Sequence, residues 1–379
     1  MRIQQHQWTE ISGWQPRMPG NLKGDAHLVL VFGSSNLIKN DEKLKEIKSA
    51  YPNAAICGCT TAGEIFNTQV TDNSLSVTAI HLQKTSIKTT CVQINDMRHS
   101  EQAGEQLGRE LDQKGLVHIF VLAEGVHING SDFVKGLVKN LSPHVSATGG
   151  LAGDGTLFEE TRIVYDGRAV SNTICAIGFY GDDLKVGYGS MGGWDPYGPE
   201  RLVTRSRGNI LYELDDKKAL ELYKLYLGEY ASGLPATGLL FPLSVRTREN
   251  QVGLVRTILA VDEKEQSLIF AGNLPKGYYA RFMKANFDRL INGATEAAEK
   301  SIETLGTCSP ELAILVSCVG RKMVLKQRVE EEVEAVQDVV GPQASLTGFY
   351  SYGEIAPPSQ DIPCELHNQT MTITTLSES

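Results

Sequence analysis

The chain has 379 residues, 41% of them hydrophobic and 21% charged, with a formal net charge of −9. That composition is globular, and the length suits two or three domains. An acidic surface repels phosphate backbones, so nucleic acid is not an expected partner. No run reaches the roughly 18 apolar residues that span a bilayer, and MRIQQHQWTE lacks the apolar stretch of a secretion signal. Seven cysteines, odd in number and mostly within apolar runs, read as reduced thiols of a cytoplasmic protein. Cys57-x-Cys59 is too tight for zinc and has no second pair.

In chain order, LVLVFGSS (28–35) predicts a buried strand and DEKLKEIKSAYP (41–52) a helix ended by Pro52. AAICGC (54–59) predicts a second strand that runs into TTAGEI, and LSVTAIHL (75–82) a third. The same succession returns as HIFVLAEG (118–125), DFVKGLVKNL (132–141), VSATGGLAGDG (145–155) and TICAIGFYG (173–181). A Gly- and Pro-rich stretch over 181–200 marks a domain boundary. Residues 208–228 predict one long helix, with Asn209 as N-cap and Gly228 as C-cap. Consecutive antiparallel strands follow over 238–273. A helix is expected over 276–306, single or broken near Asn292-Gly293.

The succession appears a third time as LAILVSCVG (312–320), RVEEEVEAVQDVV (328–340), ASLTGFYSYGEI (344–355) and LHNQTMTITTL (366–376). A strand, a helix, a strand, a loop of small residues with one acid, and a further strand therefore recur three times, which implies internal duplication. The expected fold is α/β: repeated β-α-β-β units forming mixed sheets covered by helices, in two lobes with a shared cleft.

CGCTTAGEI, TGGLAGDGTLF, NILYELDDKKALELY, SCVGRK with RVEEEVEAV, and TGFYSYGEIAP with LHNQT resemble, in that order, the FIST family of sensory modules. The resemblance divides the chain into an N-terminal extension (1–24), a FIST N-terminal domain (25–190) and a FIST C-terminal domain (191–379). It implies an intracellular, non-enzymatic ligand sensor. The chain is similar to the stand-alone NosP-type subgroup, which implies non-covalent haem b, nitric oxide as signal, and a histidine kinase or cyclic-di-GMP enzyme as partner. A haem-free sensor of amino acids or another metabolite is the alternative, an enzyme a third reading, and a homodimer is left open.

Glu64, Asp154 and Glu354 read as equivalent acids, either contacting a ligand or accepting backbone N–H bonds. Thr60, Thr61, Gly63, Gly150, Gly153 and Gly353 belong to the small-residue loops, where backbone N–H groups line a pocket or simply turn the chain. No Lys-Ser/Thr follows them, which excludes a P-loop. Arg321, at a strand end, suits a carboxylate or a haem propionate, or a neighbouring acid. Tyr350 and Tyr352 are further pocket or iron-ligand candidates. No Cys-x-x-Cys-His is present, so covalent haem is excluded. Among eight histidines, His127 and His144 flank predicted strands and are the expected iron ligands. Cys59 and Cys318 would need exposure and a base to act as nucleophiles; burial is expected instead.

Overall fold

A computed structural model describes all residues except 95, 250–252, 360–361 and 379. The apolar runs are strands: Leu28–Gly33, Leu116–Ala123 and Leu312–Cys318. Each lies parallel to the strand that follows its helix, namely Ala55–Thr60, Ser146–Leu151 and Ser345–Ser351. Each is also antiparallel to a third strand, Leu75–His81, Thr173–Tyr180 or Met371–Glu378. A parallel pair needs a crossover, and the helices Asp41–Ala50, Gly130–Val138 and Val329–Val340 supply it. These strands are covered on both faces, which is why they read as continuous apolar runs.

After its small-residue loop, each unit crosses to a neighbouring sheet. Glu64–Phe66 pairs with Ser345–Ser351, Gly353–Ala356 with Ser146–Leu151, and Ile163–Tyr165 with Ala55–Thr60. This exchange closes three sheets into a ring. Their inner faces share one core that includes Phe32, Phe120 and Phe349, and the rings of Phe32 and Phe349 stand 4.7 Å apart. Alternate residues face outward, where Val29 and Val31 pack with Leu44 and Ile47 of the first unit's helix.

Three glycines keep the strands of each parallel pair close together. Gly58, Gly149 and Gly348 pair with Val31, Val121 and Leu315. A Cβ at these positions would stand 1.8, 1.9 and 1.9 Å from the carbonyl oxygens of those partners.

Each sheet continues past its third strand with one that sequence periodicity did not reveal: Arg2–Thr9, Ser86–Gln93 and Leu184–Met191. The first 24 residues thus contribute a strand to the first sheet. Leu184–Met191 pairs with Met371–Glu378 and so belongs with the C-terminal unit. Between it and the helix Phe287–Leu305 the chain makes a second lobe, a sheet running from Asp195–Arg207 to Tyr279–Lys284. The two lobes are therefore the ring and this inserted sheet.

Two expectations change. Residues 208–228 hold a strand, Ile210–Leu214, before the helix Ala219–Leu227. Asp215 and Asp216 adopt φ of 48° and 61°, which turns the chain where a helix would continue. Residues 276–306 likewise hold the strand Tyr279–Lys284 before the helix Phe287–Leu305. That helix runs unbroken through Asn292-Gly293, because Gly293 lets it lie against Gly192 and Gly193.

Candidate functional site

The three small-residue loops meet where the exchanged strands leave their units. The Ala62 N–H donates to the Tyr350 carbonyl and the Tyr350 N–H to the Gly63 carbonyl. The Gly153 N–H donates to Thr60 O and the Gly155 N–H to Thr61 O. Beside this knot lies a cavity of 690 Å³. The first unit supplies Ser34–Asn36, Thr61–Glu64 and Asp72–Asn73; the second supplies Asp154–Leu157; the third supplies Val319, Lys322, Met323 and Lys326.

Glu64 is buried at the back of this cavity. It accepts from the Thr61 hydroxyl and from both the N–H and the hydroxyl of Ser74, at 3.1 and 2.7 Å. Glu354 repeats the arrangement with the Ser351 hydroxyl and with the N–H and hydroxyl of Thr370. Burial dominates both carboxyls, pushing Glu64 up to about 7 and Glu354 to about 8. Both therefore bind a proton more tightly folded than unfolded. The stabilisation is complete below the unfolded value of 4.5 and is lost as pH rises through about 7 and 8. Thermal melts should show Tm falling between about pH 5 and pH 8, with no further fall from these groups above that. The double variant Glu64→Gln, Glu354→Gln should flatten that slope; an unchanged slope would contradict the assignment.

Asp154 is not the third member of this set. Strand pairing places Glu64 opposite Phe349, Glu354 opposite Gly150 and Ile163 opposite Cys59. Ile163 therefore stands where the other units carry glutamate, and Asp154 stands where they carry Gly63 and Gly353. Fourteen residues separate Gly149 from Ile163, against six in the other two units, and Asp154 folds the extra loop. It accepts the N–H groups of Phe158, Glu159 and Glu160 and the Tyr352 hydroxyl. Burial pushes its carboxyl up, but these donors outweigh it and hold the group below the usual range.

Arg321 turns away from the cavity. It is fully buried, paired with Glu332 at 2.7 Å, and donates to the carbonyls of Leu290 and Gly192. Glu332 also accepts from the Ser317 and Tyr350 hydroxyls. Arg321 and Tyr350 are thus core fasteners. The next residue, Lys322, reaches the cavity, where its Nζ holds the Ala62 carbonyl at 2.8 Å and the Asp72 carboxylate. Tyr352 is buried, stacks on Phe158 at 4.2 Å and supports the Asp154 loop. Of the expected residues, Thr61, Gly63, Glu64 and Asp154 line the cavity. Thr60, Gly150, Gly153, Gly353 and Glu354 are buried in the strand knot instead.

The turn before each unit's last strand was a missed signal. DNS (72–74), SNT (171–173) and NQT (368–370) align, and Asn73, Asn172 and Gln369 all adopt positive φ, at 55°, 49° and 63°. In the first unit this turn lines the cavity.

The two histidines lie at opposite ends of a parallel strand pair. His127 follows Leu116–Ala123, whereas His144 precedes Ser146–Leu151, so they cannot share one iron. The His127 side chain is 61% exposed, with Nδ1 3.3 Å from Glu124. A cavity beside it, lined by Val126 and Ile128, measures only 90 Å³. His144 lines a cavity of 470 Å³ with Val138, Leu141 and Val145. Cys59 and Cys318 are buried, with thiols pushed well up by burial, which removes them as nucleophiles. Among the described residues no cluster of three or more His, Cys, Asp or Glu is placed to hold a metal ion, and no helix is long and apolar enough to cross a membrane.

Residues 27–217 match the FIST N domain and residues 219–357 the FIST C domain. The chain belongs to the FIST family. FIST domains are, as a class, sensory domains. The uncharacterized protein MJ1623 of Methanocaldococcus jannaschii is 25% identical over 218 residues, which cover 54% of this chain and 40% of that relative. Among solved structures, a chorismatase aligns over 99% of this chain and 98% of its own at 9% identity, with a TM-score of 0.35. A cyanuric acid hydrolase aligns over 100% and 99% at 9% identity, with a TM-score of 0.32. At those scores neither enzyme bears on the activity of this FIST protein.

Proposed function

We propose that this FIST protein is a non-enzymatic sensor whose small-molecule ligand sits in the 690 Å³ cavity where the three units meet. The observation that carries this reading is the cavity's make-up. Its walls come from all three units, so a ligand there touches every part of the ring, and its volume falls in the usual range for ligand sites. Ser34, Asn36, Asn73 and Lys322 offer hydrogen-bonding groups, which suits a metabolite with a polar head, such as an amino acid. Lys322 already ties the third unit to the first through Ala62 and Asp72. A ligand that competes for this lysine would change how those units hold together, and a signalling partner would read that change. Seven free cysteines fit a reducing cytoplasm.

A thermal-shift panel of small metabolites tests this, because a ligand at about 100 times its Kd stabilises by about 2.7 kcal/mol. At least one should raise Tm, and Asn36→Trp, an exposed position on the cavity wall, should abolish the rise. A flat panel would defeat the reading.

Haem b is the second reading, and one observation favours it. His144 is exposed beside a 470 Å³ cavity with aliphatic walls, and Lys135 and Lys139 also line it. His144 would hold the iron, and the two lysines would face the propionates. Bound haem would supply the site for nitric oxide, with a histidine kinase or cyclic-di-GMP enzyme as partner. Haem addition should then give a Soret band that His144→Ala removes and His127→Ala keeps. No band would end this reading.

A further inference from the structure

A larger cavity, of 730 Å³, lies between the inserted lobe and the segment Val319–Leu325. Leu239, Leu240 and Phe241 of the inserted lobe form one side. Phe287 and Met323 form another. Tyr230 and Phe287 expose 56% and 46% of their surface, so large apolar groups stand open to solvent around one concavity. Such a concentration marks a binding groove rather than ordinary scatter.

The charge of this cavity is opposite to that of the protein. The chain carries a net charge of −9, yet no Asp or Glu lines the cavity, while Lys284 and Lys326 do. Among the described residues neither lysine makes an ion pair. By contrast, Lys224 holds Glu263 at 2.6 Å and Arg246 holds Glu200 at 2.6 Å. Two unengaged ammonium groups on an otherwise apolar wall suit a ligand with an anionic group on an apolar body. A cationic ligand would meet the like charges of two lysines there, and a purely polar one would leave the aromatic wall unused.

Met323 and Lys326 also line the junction cavity. We infer that the ligand of this protein is a small carboxylate with an aromatic or branched aliphatic body. The body lies beneath the inserted lobe, and the carboxylate lies at Lys326, where the two cavities share a wall. This rests on the reading of the protein as a small-molecule sensor, extends the ligand's site from the junction cavity across the shared wall into the larger one, and names the class of molecule sensed. Because the body touches Leu239–Phe241 of one lobe and Met323 of the other, its binding fastens the inserted lobe to the ring.

Calorimetric titration with a panel of aryl and branched-alkyl carboxylates tests the inference, with the amine of each skeleton as its control. Carboxylates should bind and amines should not. Lys326→Glu should weaken binding at least about tenfold, the equivalent of about 1.4 kcal/mol, and Lys326→Arg should restore it. Lys326 is exposed, so neither change threatens the fold. Equal binding of amine and carboxylate, or binding indifferent to Lys326→Glu, would overturn the inference. If polar metabolites stabilise the protein through the Asn36 wall while no member of the carboxylate panel binds, the inference falls and the sensor reading stands. Carboxylate binding lost in Lys326→Glu but indifferent to Asn36→Trp would support the inference and contradict the placement of the ligand in the junction cavity.

Discussion

Replacing Arg321 with Ala should cost about 3–5 kcal/mol of folding stability, because it strands a buried carboxylate. Glu332 is fully buried and takes its positive partner from Arg321 alone among the described ion pairs. The Ser317 and Tyr350 hydroxyls would still donate to it, but neutral donors do not replace a charge in a low dielectric. The guanidinium also holds the Leu290 and Gly192 carbonyls, so the inserted lobe's connection to the ring would loosen with it. Urea unfolding of Arg321→Ala, Glu332→Leu and the double variant Arg321→Met, Glu332→Leu measures this. The single changes should be severe and the double change milder, since an apolar pair of similar volume removes both charges together. If Arg321 served a ligand instead, its loss would leave stability intact and abolish binding.

The second large effect concerns the glycines that order the ring. Ala at Gly58, Gly149 or Gly348 would push a methyl to within 2 Å of a backbone oxygen on the adjoining strand. No flexible side chain is there to yield, so the two parallel strands must separate. The expected cost is more than about 3 kcal/mol at each site, in the range reserved for overpacking and backbone clashes. The comparison is Gly13→Ala, at the start of the strand Gly13–Gln15 with φ 62° and nothing within 4 Å, which should cost about 1–2 kcal/mol from the left-handed backbone alone. Equal severity at all three positions would confirm that the units are equivalent in structure. Tolerance at one of them would single out a unit whose strands are free to shift.

The parts of this fold that were legible in the sequence are those built from local physics. Buried strands announce themselves as apolar runs, and their crossover helices show valines at helical spacing, as in Val329, Val333 and Val336. The near-repeat of Gly-Glu-Ile at 63–65 and 353–355 did mark equivalent places, and both glutamates make the same three contacts. What stayed hidden was nonlocal. Nothing in Glu64–Phe66 says that its partner lies in Ser345–Ser351. Asp154 was misaligned by one residue because the loop it organises is longer than its counterparts. Arg321 and Lys322 are adjacent, and only the packing of their short helix decides which enters the core. Residues 208–214 followed the same logic: Ile210, Tyr212 and Leu214 alternate as a strand does, and the apolar residues of the true helix that follows masked that period.

Amide hydrogen exchange, read by mass spectrometry with and without a stabilising ligand, tests the sensor account most directly. Exchange should slow in five segments drawn from all three units: 34–36, 61–64, 72–73, 154–157 and 319–326. Protection confined to one unit, or placed around His144 and away from these segments, would contradict it.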